Sequence, residues 1–315
     1  MKRILYLIVA ITFGVSLMAQ ESASLTLNLE RNKVYQLKSV SDQTVTQTVN
    51  GIQQTVDSHV EYTASLKMID VTPDFMITEV RFDTLSTNTN TMGKTVSFSS
   101  VDEGDIASSE VADIMSYIMN RLSKNSLYVK MEFTGRPVEI VNAQILSGLV
   151  MKDTSAITLT GPTAAAIKNQ IAGIISTDNL KTMIGMFTWR LPGASIAVGD
   201  DWTVTQQMNS SGMLLDIITT YSLDAVDGSK AKITAESNIK AAEHAAPIQS
   251  GGATVTYDNL QGMSKSDMVI DTQTGLLVED NVKTHITGKL GVNAPGVSME
   301  IPMDINGETK VYALQ

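Results

Sequence analysis

The feature that most constrains this chain is a two-residue alternation of apolar and polar side chains that recurs along most of its length. In SLYVKMEF, Leu127, Val129, Met131 and Phe133 fall on one side, with Tyr128, Lys130 and Glu132 on the other. VEYTASLKM repeats the pattern with Val60, Tyr62, Ala64, Leu66 and Met68, and SLTLNLE with Leu25, Leu27 and Leu29. Successive side chains of a strand point to opposite faces, so this period describes antiparallel strands with one buried and one wet face. Asn50-Gly51, between two Thr/Gln/Val runs, supplies the left-handed backbone that a two-residue hairpin turn demands. The last run, VSMEIPMDINGETKVYAL, groups Val297, Met299, Ile301, Met303 and Ile305, and is expected to turn at Asn306-Gly307 and return.

Helical spacing interrupts the strands in two places. In DIASSEVADIMSYIMNRLSKN, Val111, Ile114, Met115, Ile118, Met119 and Leu122 recur at three- and four-residue steps and form one apolar helix face, with Asp105 expected as the N-cap. Further on, Pro162 suits the first turn of a second helix, where its missing N–H costs nothing. Asp178 is expected to cap a third helix, which Pro192 and Gly193 close. The fold class that follows is α+β: a large antiparallel sheet, or two similar sheets, curved like a half-barrel, with a few helices packed on one face. Residues 20–141 read as a β-rich region with one helix, 142–197 as a helical connector, and 198–315 as a second β-rich region. No Pro/Gly/Ser-rich linker separates them, so one compact body is expected.

Residues 1–19 read as a signal peptide: Lys2 and Arg3, then an apolar run from Ile4 to Leu17, then small and polar residues. That run is too short to span a bilayer, which takes about 20 residues. A periplasmic or secreted location is expected, with no membrane-spanning segment once the leader is removed. The sequence contains no cysteine, which excludes disulfides, thiolate metal sites, cysteine nucleophiles and a lipid-anchoring cysteine. The net charge of −10 argues against nucleic-acid binding, because such proteins neutralise phosphates with Lys and Arg.

The residues that could carry chemistry are sparse. His59, His244 and His285 are far apart and lack metal-ligand spacing. An S-x-x-K match, Ser229 to Lys232, stands without the companion motifs of penicillin-recognising enzymes and reads as a hairpin turn. Acidic groups cluster at Asp102, Glu103 and Asp105, at Asp304 and Glu308, and at Asp200-Asp201, but no loop holds a full calcium ligand set. No cofactor is implied. The compositional excess is 17 methionines. Met is a pliable gap filler, and it also suits adaptable apolar ligand walls. Met115, Met119, Met131, Met183 and Met186 are therefore the candidate ligand-facing residues, for a lipid or other hydrophobic small molecule.

In PGASIAVGDDWTV, Gly199 permits a sharp turn, Asp200 suits hydrogen bonding to turn backbone, and Trp202, Val204 and Gln206 share one strand face opposite Asp201, Thr203 and Thr205. Gly199, Asp200 and Trp202 are thus expected to be structural. The same segment resembles a family of uncharacterised exported proteins from Bacteroidota-type bacteria, in which a proline and a short run precede V-G-D-x-W at a strand start. VYQLKS near the start and DTQTGLLVE near the end add to the resemblance. It implies an envelope or secreted location and no catalytic residues. Members often carry a lipid-anchoring cysteine; this chain departs from that, so tethering is not carried over. The expected shape is also similar to periplasmic carriers of the LolA type.

The reading is a non-enzymatic exported cell-envelope protein that binds a hydrophobic ligand. Two alternatives stand beside it: an envelope interaction module that presents Thr/Gln-rich strand faces to a partner protein, and a glycan hydrolase using the acidic residues near Trp202.

Overall fold

The computed structural model describes residues 21–210, 212–243, 245–250, 253–257 and 259–314. The expected signal peptide and His244 lie outside the described residues. The first region contributes β1 (Ser22–Leu25), β2 (Val34–Val49), β3 (Ile52–Val71), β4 (Met76–Thr91), β5 (Lys94–Ser99), α1 (Val111–Ser123), β6 (Leu127–Met131) and β7 (Pro137–Ile140). The connector holds α2 (Ala143–Met151), α3 (Gly161–Ile174) and α4 (Thr177–Thr188), and ends in β8 (Ala194–Ala197). The last region supplies β9 (Asp201–Ser210), β10 (Met213–Asp227), β11 (Lys230–Ala241), β12 (Ile248–Ser250), β13 (Ala253–Thr256), β14 (Gln261–Asp271), β15 (Leu277–Ala294) and β16 (Val297–Leu314).

One 14-stranded sheet passes through both β-rich regions in the order β7-β6-β4-β3-β2-β16-β15-β14-β11-β10-β9, with β5 on β4 and the β12–β13 pair on β15. The regions join where β2 pairs with β16, so they form one sheet and not two. The Asn50-Gly51 turn is made as expected: both residues have positive φ, and Val49 pairs with Ile52. The sheet does not close into a barrel. It curls far enough for α4 to pack against both β7 and β9, the two ends of the strand order. The helix fills the slot between the edges. β1 and β8 form a separate two-stranded sheet beside it.

The apolar periodicity accounts for how the helices pack. Ile114, Met115, Ile118 and Leu122 of α1 are completely buried against β4 and β5. The outward-pointing residues of the large sheet form cross-strand ion pairs: Lys38–Glu61 at 2.9 Å, Lys67–Glu79 at 2.7 Å and Lys289–Glu300 at 2.8 Å. His59 sits in the same layer, with Nδ1 2.7 Å from Asp42 and Nε2 3.3 Å from Glu61. The Asp42 hydrogen bond, followed by that to Glu61, raises its pKa above the ordinary imidazole value. A raised folded-state pKa stabilises the fold most below the unfolded value, and the contribution is lost as pH rises through the folded value. His59→Gln should therefore lower the melting temperature more at about pH 5.5 than at about pH 8.5, either side of an ordinary imidazole value of roughly 6.5. A deficit that grew with pH would contradict this placement of the ring.

Several local expectations are corrected. Asn306-Gly307 makes no turn. β16 runs straight through it, with Asn306 opposite His285 and Gly307 opposite Thr284. The alternation continues across the dipeptide, and ladder bonds on both flanks override its turn preference. Asp178 lies in the first turn of α4; the cap is Ser176, whose hydroxyl accepts from the Asn179 N–H at 3.3 Å. Asp105 is not an N-cap either. It accepts from the Ala107 N–H at 2.8 Å in a preceding turn, and α1 starts only at Val111. α4 already ends at Thr188, before Pro192 and Gly193. Leu27 and Leu29 are buried as their alternation suggests, but the ladder of β1 stops at Leu25.

Candidate functional site

The register of the sheet sorts its inner face into rows. One row crosses β10, β11, β14, β15, β16 and β2 as Ile217, Ile239, Gly262, Ile286, Ile305 and Val45. Gly262 is the one position without a side chain, because a Cβ there would lie 2.4 Å from the His285 carbonyl oxygen. The next row on the same strands reads Thr219, Ser237, Ser264, Thr284, Gly307 and Gln43. It continues onto β3 and β4 as Ser58 and Thr89. The third row mixes Tyr221, Ala235, Ser266, Val282, Thr309 and Ser41. A belt of hydroxyl and amide groups thus runs around the inside of the sheet. It separates an apolar cluster containing Leu215, Ile239, Tyr257, Leu260, Ile286 and Ile305 from the main core beneath the helices.

A chamber of about 350 Å³ opens at this belt, walled by β2, β9, β10, β11, β14, β15 and β16 and by the C-terminal end of α4. Met186, Met208, Met213 and Met268 contribute to the wall, as do Leu215 and Ile217. Some belt hydroxyls bond each other: Thr219 to Ser237 at 2.8 Å, and Ser41 to Thr309 at 2.9 Å. A hydroxyl has one donor and two acceptor lone pairs, so such a pair keeps spare capacity. Gln43, Ser264 and Thr284 bond no described protein group through their side chains and are left to meet whatever fills the chamber. Two hollows of about 660 and 560 Å³ lie mainly on the opposite, ion-paired face, where Lys265, Lys283 and His285 line them. Their walls carry Asp42, Asp216, Lys240, Lys265, Lys283, His285 and Glu308, whereas the chamber holds only the mutually paired Arg190 and Asp280 among its described residues.

Arg190 and Asp280 are the only charged side chains among the described residues lining the chamber. Arg190 is 7% exposed and Asp280 4%. Nη1 of Arg190 donates to Asp280 at 2.7 Å, and Nη2 donates to the Met186 carbonyl. The other Asp280 oxygen accepts from Ser266, while Arg190 Nε has no hydrogen-bond partner. The Trp202 indole donates to the Arg190 carbonyl at 2.8 Å, and Gln206 donates to the Trp189 carbonyl at 3.0 Å. Side chains of β9 thereby bond the two carbonyls that follow α4 and tie the helix to that sheet edge. Trp202 also stacks on Tyr221, with centroids 5.3 Å apart and planes 10° from parallel. Burial pushes the Tyr221 phenol pKa up.

The residues singled out in the sequence divide between these surroundings. Met186 lines the chamber and is 39% exposed. Met115, Met119 and Met131 are buried in the main core, and Met183 packs against it. The pliable wall is supplied instead by Met208, Met213 and Met268, all on strands of the second β-rich region. Gly199 turns with φ +91°, its N–H donating to the Leu223 carbonyl at 2.7 Å, and the Asp200 carbonyl accepts from the Leu223 N–H at 3.1 Å. Asp201 is exposed and accepts from Ser222 at 2.5 Å, while Trp202 faces inward. Among the described residues no group of three or more His, Cys, Asp or Glu side chains is placed to hold a metal ion. No described helix is long and apolar enough to cross a membrane, which says nothing about strands.

Residues 73–277 match the model of DUF6263, a family of unknown function. The chain belongs to this family. The DUF6263 match runs from the β3–β4 turn to the start of β15 and so takes in α4, Arg190, Trp202 and the belt residues Thr219, Ser237 and Ser264. No curated protein matches the chain. Among solved structures it is similar to lipovitellin, described in terms of its lipid–protein interactions, with 9% identity and a TM-score of 0.46 over 91% of this chain; it spans 26% of lipovitellin. It is similar to the COG4313 outer membrane channel from Pseudomonas putida F1 at 7% identity and a TM-score of 0.28, covering 91% of this chain and 97% of the channel. A lipoprotein-sorting-type outer membrane domain from Vibrio parahaemolyticus is weakly similar, at 7% identity and a TM-score of 0.13, over 86% and 83% of the two chains. At these scores the likenesses do not bear on what a DUF6263 protein binds.

Proposed function

We propose that the protein is a non-enzymatic, exported cell-envelope protein that holds one hydrophobic or amphiphilic molecule in the chamber of its curved sheet. The carrying observation is the chamber itself. Small-molecule sites are concavities of roughly 300–1,000 Å³, mostly apolar, with a few placed polar groups. A volume of about 350 Å³ walled by Met, Leu and Ile and crossed by uncommitted hydroxyls meets that description. The leader-like N-terminus of the sequence supports export. The methionines give the wall the adaptability that a greasy ligand of irregular shape needs.

The test is the fluorescence of N-phenyl-1-naphthylamine, which brightens in apolar surroundings. Wild-type protein should enhance it saturably. Ser264→Phe, which directs a ring into the chamber from the middle of β14, should reduce the enhancement at least about fivefold while melting stays cooperative, since overpacking typically costs roughly 1–3 kcal/mol. Equal enhancement by both proteins would place the dye elsewhere and overturn the reading.

A further inference from the structure

The chamber's polar groups say more about the ligand than its volume does. We infer that the chamber selects an uncharged single-chain amphiphile whose head carries hydroxyl or ester oxygens, and that the Thr219–Gln43 row is its head-group rail. The inference rests on the chamber being a ligand site. Its first support is charge. Arg190 and Asp280 are bonded to each other at 2.7 Å and neutralise one another; Nη2 and the second carboxylate oxygen are taken by Met186 and Ser266, and the unbonded Nε is itself buried. No other charged side chain is found among the described residues of the wall. A carboxylate, phosphate or ammonium head would therefore give up part of its water with no unpaired counter-ion on the wall to meet it, and removing an unpaired charge from water is unfavourable.

The second support is the placing of the neutral groups. Gln43, Ser264 and Thr284 lie side by side in register, with only Gly307 between Thr284 and Gln43, and their side chains are uncommitted. Together they offer donors and acceptors at one height on the wall. On one side of this row stands the row of Ile217, Ile239, Ile286 and Ile305, which would take an alkyl tail. The volume, about 350 Å³, lies at the small end for ligand sites and suits one chain and not two.

Binding of 1-monolauroylglycerol, laurate and dodecyltrimethylammonium, matched in chain length, should be compared at neutral pH by displacement of N-phenyl-1-naphthylamine from the full protein. The monoglyceride should bind at least about tenfold more tightly than either ion, as expected for one or two hydrogen bonds retained against a desolvated charge. Ser264→Ala/Thr284→Val should reduce that preference to about threefold or less, read as the ratio of the displacement constants, in which any common change in dye affinity cancels. Should this double variant fail to fold, Gln43→Met tests the same rail from the neighbouring strand. Laurate or the ammonium binding as tightly as the monoglyceride would overturn the inference and leave the chamber standing. Absence of saturable dye binding by the wild type would remove the chamber reading and this inference with it.

Discussion

Replacing Arg190 with methionine should destabilise the protein by about 3–5 kcal/mol, the cost of leaving one partner of a buried ion pair alone. Asp280 is 4% exposed, and without the guanidinium its carboxylate keeps only the Ser266 hydroxyl. Asp280→Leu should cost a similar amount, because the Arg190 guanidinium would then have only the Met186 carbonyl, with Nε already lacking a partner. The double variant Arg190→Met/Asp280→Leu should be more stable than either single variant, since well-packed apolar residues replace buried ion pairs at little or no cost. Urea unfolding of the four proteins closes the cycle. Single effects below about 1 kcal/mol, or strictly additive ones, would mean that the pair is not buried and coupled as described.

Trp202→Ala should cost about 3–5 kcal/mol, the range for removing a buried large aromatic side chain. Three things are lost together: the buried ring, the stack on Tyr221 and the hydrogen bond to the Arg190 carbonyl. Trp202→Phe retains most of the ring packing and should cost less. Asp201→Asn, on the exposed face of the same strand, should stay within about 0.5 kcal/mol of wild type. Thermal melts rank the three. A larger loss for Asp201→Asn than for Trp202→Ala would contradict the assignment of the indole as the anchor between α4 and the sheet edge, and would return the acidic doublet to consideration as a functional group.

Fold class was legible because alternation survives in any one strand. Leu127, Val129 and Met131 are buried as the pattern requires, and so are Leu66 and Met68. The Asn50-Gly51 turn was legible for a local reason too: two residues with positive φ are needed, and these two accept it. Asn306-Gly307 offers the same dipeptide, yet the strands β15 and β2 hold it extended from both sides. Whether an Asn-Gly pair turns is decided by its flanking ladders, and those are not local.

The site was legible only in part. Thr219, Ser237, Ser264 and Thr284 are small polar residues on four different strands, and nothing in the sequence links them. Their meaning comes from register, which sets the four next to one another. Arg190 and Asp280 lie 90 positions apart, and their pairing leaves only a faint trace: an arginine inside the otherwise uncharged MFTWRLP. The excess of methionine pointed toward a pliable wall, but methionines on helix faces and on strands are alike in sequence. Curvature decides which of them reach the chamber. Met115 and Met131 fall in the main core, while Met208 and Met213 fall at the chamber wall.

The measurement that tests the central claim most directly is native mass spectrometry of the wild type and of Ser264→Phe, each purified from the native host without added ligand. The chamber account predicts one small-molecule adduct per wild-type chain, with the mass of a single-chain amphiphile, and a bare chain for the variant. Bare chains in both preparations, with no uptake of added 1-monolauroylglycerol by the wild type, would contradict it.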